Sequence, residues 1–275
     1  MYHVFQIPKR DGSSRNIEAP DDALKARQQA SLIGLRKILK VSPFAHAFQP
    51  YKNIVTMAMG HVGKRWVGCM DIKDFFPSID IIDFRNTVEN VQRCDPRGID
   101  IHFHDFEDGK GMRLPQGAPA SPFLSNTYLF KFDWRMAWLA YRFGVTYSRY
   151  ADDLVFSGDK AWHIKKLFDI ARGLLNEYRF EVNDNKTKLM HTHQRQMVCG
   201  IVVNEKINLL RKTRKNFRAE LFQQKQKGGD LRCETQGRQS FHKMVLENKK
   251  ESFTSTEIMN SIVLTKKLDK KGNKT

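Results

Sequence analysis

Three aspartates lie in the most strand-like parts of this sequence, and they constrain the fold more than any other feature. Asp71 lies near the end of the apolar run 67–72, which is predicted to form a buried strand. Asp152 and Asp153 occupy a predicted tight turn between strands at 145–149 and 154–157. A carboxylate in an apolar strand is costly unless it is paired or bound to a metal. Three carboxylates brought together also repel one another unless cations neutralise them.

Divalent metal ions suit such a group of carboxylates. Mg²⁺ takes carboxylate and phosphate oxygens together, and a pair of these ions can activate a 3′-hydroxyl and stabilise a leaving pyrophosphate. The sequence therefore predicts a site for two Mg²⁺ ions at Asp71, Asp152 and Asp153. An ordinary hairpin turn is the alternative for Asp152 and Asp153, because Asp is a common turn residue.

Two further segments have the composition of phosphate-binding sites. Residues 114–122 form a turn-rich lead into a helix that begins at Ser121-Pro122. There Gly117 would let the backbone approach a ligand closely, and the helix N-terminus favours an anion. The N-terminal segment carries Lys9, Arg10 and Arg15, which can grip a triphosphate. A Pro-rich helix start and a solvated hairpin are the plain alternatives.

The remaining pattern predicts a mixture of helices and strands. Strands at 4–8 and 15–18 flank a Gly-containing turn, and Asp21 or Asp22 can cap a helix that runs to about residue 40. Further helices are predicted at 80–91, at 121–143 as one long amphipathic helix, and at 161–178. A strand is predicted at 198–203, and the pattern is helical and basic from Arg211 onward.

Charge points to a polyanionic partner. The net charge is +17, and residues 205–275 hold 18 Lys and Arg against 8 Asp and Glu, a surplus of 10. Such an excess favours nucleic acid, whereas a solvated charged face is the alternative. No apolar run reaches the length of a membrane span and no signal-peptide core follows Met1, so we expect a cytoplasmic protein.

Three motifs follow one another along the chain: Asp71-Ile72-Lys73-Asp74-Phe75-Phe76-Pro77-Ser78, then Leu114 to Pro122, then Tyr150-Ala151-Asp152-Asp153. In this order they resemble the motifs of the reverse transcriptase family. The resemblance covers almost the whole chain. It implies an α+β fold, a right-hand polymerase with fingers (1–68 and 84–113), an antiparallel-sheet palm (69–83 and 114–205) and a basic helical thumb (206–275).

The resemblance also implies roles for individual residues. Asp71, Asp152 and Asp153 would be catalytic, and they would hold the metals together with the Ile72 carbonyl. Phe76 would be the bulky gate that collides with a ribose 2′-hydroxyl. The other implied nucleotide-binding residues are Lys9, Arg15, Asp74, Gln116 and Lys186. The implied nucleic-acid-binding residues are Gly200 in a primer-grip hairpin and Arg211, Lys215 and Arg218 along one helix face of the thumb.

Within the family, the wording of the motifs resembles the bacterial branch that includes retrons, group II intron enzymes and defence-associated enzymes. Retron enzymes usually carry an Asn-Ala-x-x-His segment, which we do not identify, and Val-Thr-Gly where this chain has Val198-Cys199-Gly200. We therefore expect an RNA-directed DNA polymerase that copies a dedicated non-coding RNA into DNA from dNTPs in antiviral defence. A retron enzyme making a branched RNA–DNA hybrid is the second alternative.

Three rivals differ in chemistry. A template-independent DNA polymerase would use the same residues without copying RNA. An RNA-directed RNA polymerase is disfavoured, because a ribonucleotide needs the space that Phe76 would fill. A non-catalytic RNA-binding scaffold is disfavoured, because all three acidic positions are present.

Overall fold

The chain opens with the predicted hairpin. The computed structural model describes residues 1–8, 12, 14–95, 99–106, 109, 111–227, 233–247 and 257–260. Strand β1 (Tyr2–Pro8) pairs antiparallel with β2 (Ser14–Pro20), so that Pro8 lies opposite Ser14. Lys9, which was predicted to bind phosphate from the turn, lies outside the described residues.

Side-chain caps begin three of the helices. The Asp21 carboxylate accepts a hydrogen bond from the Leu24 amide at the start of α1 (Asp22–Ile38). Asn53 forms a capping box at α2 (Ile54–Met59), and Asp80 caps α3 (Ile81–Thr87), which continues as a π-helical turn over Val88–Gln92. Each cap satisfies amides that have no partner inside the helix.

A four-stranded sheet forms the centre of the molecule. Its strands are β3 (Trp66–Ile72), β6 (Thr146–Tyr150), β7 (Asp153–Gly158) and β8 (Val182–His191), and they are antiparallel in the order β6-β7-β3-β8. A short ladder of β4 (His104–Asp105) and β5 (Met112–Arg113) lies apart from this sheet. The mixture of antiparallel strands and separate helices confirms the predicted α+β class.

The predicted long helix at 121–143 is wrong. The segment forms two helices, α4 (Ser121–Tyr128) and α5 (Phe130–Arg142), with a break at the buried Leu129. The hydroxyls of Ser125 and Thr127 donate to carbonyl oxygens three and four residues earlier. Such bonds bend helices, whereas the apolar pattern continues through the break and does not reveal it.

Helices cover one face of the sheet. Helix α6 (Ala161–Glu177) packs there beside α5 around a core that includes Met70, Leu154 and Phe156. Gly68 permits this contact, because a Cβ at that position would lie 2.6 Å from the Phe168 ring. Side chains alternate along a strand, so Val67 and Val155 face the opposite side.

The opposite face carries a hairpin and the start of the C-terminal region. The predicted strand 198–203 is wrong: β9 (Met197–Val198) and β10 (Ile201–Val202) form a hairpin that turns at Cys199 and Gly200, both with positive φ. Helices α7 (Arg211–Lys227) and α8 (Cys233–Leu246) follow. Among the described helices, none is long and apolar enough to cross a membrane.

Candidate active site

The sheet brings the three predicted aspartates to one end. Asp71 of β3 lies directly opposite Asp153 of β7 in the strand register, and opposite residues in a ladder point to the same face. Asp152 precedes β7, and its carbonyl oxygen accepts a hydrogen bond of 3.0 Å from the Ile72 amide. The backbone thus places Asp152 beside the end of β3.

Burial and mutual repulsion disfavour the charged forms of two of these acids. Burial raises the pKa of Asp153 to about 6, and the charges of Asp152 and Asp71 add to the effect. Burial, followed by the charge of Asp71, also raises the pKa of Asp152. A bound cation would relieve this repulsion.

A lysine already pairs with one of the acids. The Lys186 ammonium donates to both carboxylate oxygens of Asp71 at 3.1 Å. Burial lowers the pKa of Lys186, but the hydrogen bond to Asp71 and the charges of the three aspartates outweigh it and raise the pKa overall. Within the described part of the chain, no three His, Cys, Asp or Glu side chains converge as ligands of one metal ion.

A bulge in β8 explains why Lys186 reaches Asp71. Cys69 pairs with Lys188, but Asp71, only two residues further along β3, pairs with Asn183. Strand β8 therefore has three more residues than β3 in this interval, and Lys186 is one of them. Bulges of this kind re-aim side chains. The Lys186 side chain is 59 % exposed, whereas the Asp71 side chain is 8 % exposed.

The acidic end opens into a cleft of about 670 Å³ between the N-terminal hairpin and the sheet. Most of the predicted site residues meet there. Those that line the cleft are Arg15, Asp71, Ile72, Asp74, Phe76, Gln116, Asp152 and Lys186. The cleft thus combines cations, carboxylates and aromatic residues.

Two neighbouring aromatic residues have different surroundings. Phe75 is buried, and its ring stacks on that of Phe180 with the centroids 5.7 Å apart. Phe76 is half-buried and lines the cleft, where its ring centroid lies 6.4 Å from that of Phe48. Both residues border the cleft, but Phe76 is the more exposed of the two and Phe75 is packed in the core. The sugar-gate role of Phe76 stays a prediction.

Gly117 makes a close contact that the sequence did not predict. A Cβ at this position would lie 2.9 Å from the Glu18 carbonyl oxygen, so the backbone approaches strand β2 closely here. The Gln116 amide also donates to the Glu18 carboxylate at 2.7 Å. Burial raises the pKa of Glu18. These contacts join the 114–122 loop to the N-terminal hairpin and so shape the cleft.

Several cleft residues escaped the sequence interpretation. Phe48, Asn16, Glu18, Arg113 and Asn183 also line the cleft. Phe48 is 41 % exposed and has a φ of 59°, which is unusual for a bulky residue. No motif marked it, because an aromatic residue among apolar neighbours is typical of a core position.

The predicted nucleic-acid-binding residues lie outside the cleft. Gly200 is exposed in the β9–β10 turn, next to Cys199, whose sulfur lies 3.8 Å from the Asp153 carboxylate. Arg211, Lys215 and Arg218 are exposed on α7, whereas Phe217 of the same helix is buried. We call these three basic residues the α7 stripe.

Comparison with known proteins identifies relatives. Residues 7–228 match the family described as reverse transcriptase (RNA-dependent DNA polymerase). The retron Mx65 reverse transcriptase of Myxococcus xanthus is 39 % identical over 81 % of this chain and 56 % of that protein. The retron Ec86 reverse transcriptase of Escherichia coli is 27 % identical over 80 % of this chain and 69 % of that protein.

Solved structures share the fold. Telomerase from Candida albicans, solved with a fragment of telomeric RNA, matches with a TM-score of 0.51 and 12 % identity. The match covers 80 % of this chain and 50 % of the telomerase chain.

A further sequence relative is the retron Mx162 reverse transcriptase of Myxococcus xanthus, which is 35 % identical over 74 % of this chain and 47 % of that protein. The chain thus spans about half the length of the two Myxococcus relatives.

Proposed function

Because the chain belongs to the reverse transcriptase family and has its right-hand polymerase fold, we propose that it is an RNA-directed DNA polymerase. The reaction is attack of a primer 3′-hydroxyl oxygen on the α-phosphorus of a dNTP, with pyrophosphate leaving. One observation carries the proposal: Asp71 and Asp153 face each other across β3 and β7, with Asp152 beside them at the edge of a cleft.

In this proposal two Mg²⁺ ions bind at this end of the sheet, where the donor atoms are of the right chemical type although no three of the described side chains already converge on one ion. Mg²⁺ prefers hard oxygen ligands, and such oxygens are present in the carboxylates of Asp71, Asp152 and Asp153 and in the Ile72 carbonyl. The raised pKa of Asp153 means that a nearby cation would stabilise its charged form. When bound, the ions would lower the cost of deprotonating the 3′-hydroxyl and of releasing pyrophosphate.

The cations of the cleft would bind the triphosphate. The pKa of Asp152 is raised overall, mainly by burial, but the charge of Arg15 is close enough to oppose this rise, so Arg15 faces the same space as the acids. Lys186 is largely exposed on its bulge and can pair with either Asp71 or a phosphate. We propose that Lys9, outside the described residues, joins them.

The remaining cleft residues would select and hold the nucleotide. Phe76 excludes a ribose 2′-hydroxyl by collision, which is discrimination by a clash rather than by an attraction. Gln116 and Asp74 line the same cleft. In this proposal the fingers are 1–68 and 84–113, the palm is 69–83 and 114–205, and the basic thumb at 206–275 follows the duplex backbone through the α7 stripe and the Gly200 turn.

We propose that the template is a dedicated non-coding RNA, in the manner of a retron. The relatives named above are retron enzymes, and this favours the retron over the other defence-associated alternative. The segment Met57-Ala58-Met59-Gly60-His61 matches the Asn-Ala-x-x-His pattern at Ala58 and His61. His61 is buried, with its ring nitrogens 2.7 and 2.6 Å from the hydroxyls of Ser157 and Ser148.

A templated extension assay tests the polymerase. The chain should extend a primer on a heteropolymeric RNA with Mg²⁺ and dNTPs, and the product should be complementary to the RNA. Asp152→Asn, a nearly isosteric change that removes a ligand charge, should abolish extension while RNA binding persists. Extension by Asp152→Asn at the wild-type rate would contradict the site, and product without complementarity would instead support the template-independent rival.

Two further experiments address the biological setting. Sequencing the nucleic acid that co-purifies with the chain should recover one RNA covalently or base-paired to DNA copied from it. The resemblance to defence-associated enzymes also suggests an antiviral role for that DNA. Expression of the chain with its RNA should then lower phage plaque counts, and Asp152→Asn should remove the protection.

A further inference from the structure

A fully buried ion pair lies beneath the acidic turn. The Arg149 side chain of β6 and the Asp133 side chain of α5 are both 0 % exposed. Arg149 donates from Nε to Asp133 Oδ1 and from Nη2 to Oδ2, each at 2.8 Å, in a bidentate contact. The Tyr147 hydroxyl also donates to Asp133 Oδ1 at 2.8 Å. The pair is thus both desolvated and hydrogen-bonded.

The third nitrogen of the guanidinium reaches the acidic turn itself. Arg149 Nη1 donates to the Ala151 carbonyl oxygen at 2.9 Å. Ala151 directly precedes Asp152 and has a φ of 54°, in the left-handed region that a residue with a Cβ rarely adopts. One planar group therefore connects helix α5 to the backbone on which Asp152 is carried.

Stability alone does not account for this pair. The desolvation of two buried charges often exceeds their attraction, and well-packed apolar residues in their place are often neutral or stabilising. The left-handed Ala151 adds a cost of about 1 kcal/mol or more. Strained backbone persists where the surroundings hold it, and it concentrates at active sites.

We propose that Asp133 and Arg149 are positioning residues that hold the Ala151 carbonyl and so fix the Asp152 carboxylate beside Asp71 for metal binding. This inference rests on the proposed function only in naming the metal. Asp133 orients the guanidinium with two bonds, and the guanidinium uses its third nitrogen, Nη1, to hold Ala151 in the left-handed region. Without that donor, Ala151 relaxes and Asp152 moves away from the end of β3.

The test removes the charges but keeps the packing. In the full-length chain, Asp133→Leu, Tyr147→Phe and Arg149→Met are combined, so that neither a buried charge nor the Tyr147 hydroxyl is left without a partner. Hydrogen exchange of the Ile72 amide, which donates to the Asp152 carbonyl, reports the position of the turn. Electron paramagnetic resonance of free Mn²⁺ reports metal binding without any need for catalysis.

The triple variant should fold cooperatively and still lose the geometry. We expect exchange of the Ile72 amide to accelerate about 10-fold, and the Mn²⁺ concentration for half-saturation to rise about 10-fold, as for other groups that orient metal ligands. Tyr147→Phe alone is the matched control: it removes a bond to Asp133 but none to Ala151, so both values should stay at wild type.

Contrary outcomes are equally clear. A folded triple variant with wild-type exchange at Ile72 and wild-type Mn²⁺ binding overturns the inference. If the triple variant does not fold, Arg149→Lys replaces it, because one ammonium group cannot bond to both Asp133 and the Ala151 carbonyl. Faster hydrogen exchange of the Ile72 amide in that variant supports the inference. Unchanged exchange overturns it. If the wild-type chain binds no Mn²⁺, the proposed metal site fails, while the exchange measurement still tests the positioning role.

Discussion

Two ion pairs that each include a residue of the central sheet differ in their exposure to water. Asp133 and Arg149 are sealed within the core, whereas Asp71 pairs with a lysine whose side chain is 59 % exposed. The sealed pair has every contact supplied by the protein, including one to the Ala151 carbonyl. The open pair lines a cleft, and in the proposed function its lysine exchanges Asp71 for a phosphate. On that proposal, the sealed pair holds the geometry of the site and the open pair takes part in the chemistry.

The same contrast appears in neighbouring aromatic residues. Both border the cleft, but Phe75 is buried with its ring stacked on Phe180, whereas Phe76 is only half-buried. The two rings therefore differ in how far the core surrounds them. Substitutions in the two kinds of place should therefore affect different measurements.

Loss of the carboxylate of the open pair should have the largest effect, and the quantity that it lowers should be the activity. Asp71→Asn removes a charge that the proposed Mg²⁺ ions need, so we expect kcat/KM for dNTP incorporation to fall by about 1,000-fold or more. Stability should change by less than about 1 kcal/mol, because the partner Lys186 is largely exposed. Steady-state extension and chemical denaturation on the same preparations check both expectations; a large loss of stability would erase the contrast with the sealed pair.

Loss of the carboxylate of the sealed pair should, in contrast, lower the free energy of unfolding. Asp133→Asn leaves the Arg149 guanidinium buried without its counter-charge, which costs about 3–5 kcal/mol. Denaturant unfolding of Asp133→Asn measures this cost. Glu177→Gln is the matched control, since it breaks an exposed pair between Glu177 and Arg135 that also involves α5. That variant should stay within about 0.5 kcal/mol of wild type, and an equal loss in both variants would contradict the distinction.

The two phenylalanines offer a smaller test. Phe76→Val opens space beside the sugar, so the ratio of rNTP to dNTP incorporation should rise about 10-fold or more, with little change in stability. Phe75→Val instead leaves a cavity in the core, so it should cost roughly 2–3 kcal/mol of stability and leave the ratio near wild type. If both variants change the sugar ratio equally, Phe76 acts by packing and not as a gate.

Local patterns in the sequence were sufficient for part of the fold and the site. The acidic ends of β3 and β7, the N-terminal hairpin and the Asp21 cap of α1 depend on short segments, and the structure has them where the sequence predicts them. The family resemblance also identified eight of the twenty residues that line the cleft. The individual roles of these residues stay predictions.

Contacts distant in sequence account for what was missed. Arg149 resembles an ordinary strand residue until α5 brings Asp133 against it. Gly117 meets Glu18 across 99 residues of chain, so its nearest neighbour could not be inferred from its own loop. The bulge that aims Lys186 at Asp71 depends on the register between β3 and β8, which neither strand encodes alone.

The α7 stripe lies at the opposite extreme from the sealed pair, since all three of its cations are exposed. Arg211, Lys215 and Arg218 share a helix face at spacings of four and three residues, and buried Phe217 fixes the opposite side of α7. Exposed cations gain little from contacts within the protein. On a phosphate backbone, however, each releases counterions and steepens the salt dependence of binding.

We therefore expect the double variant Arg211→Ala, Lys215→Ala to bind template RNA more weakly and with a shallower salt dependence. The slope of log affinity against log salt should lose about 0.7–0.9 per phosphate contact, or roughly 1.5 in total. Lys165→Ala with Lys166→Ala is the matched control, because it removes the same charge from exposed positions on α6, which packs against the helical face of the sheet. Affinity for the co-purifying RNA at several salt concentrations distinguishes the two. An equal change in both variants would mean that net charge, and not the position of the stripe, attracts the RNA, whereas a change confined to α7 places the template backbone along that helix.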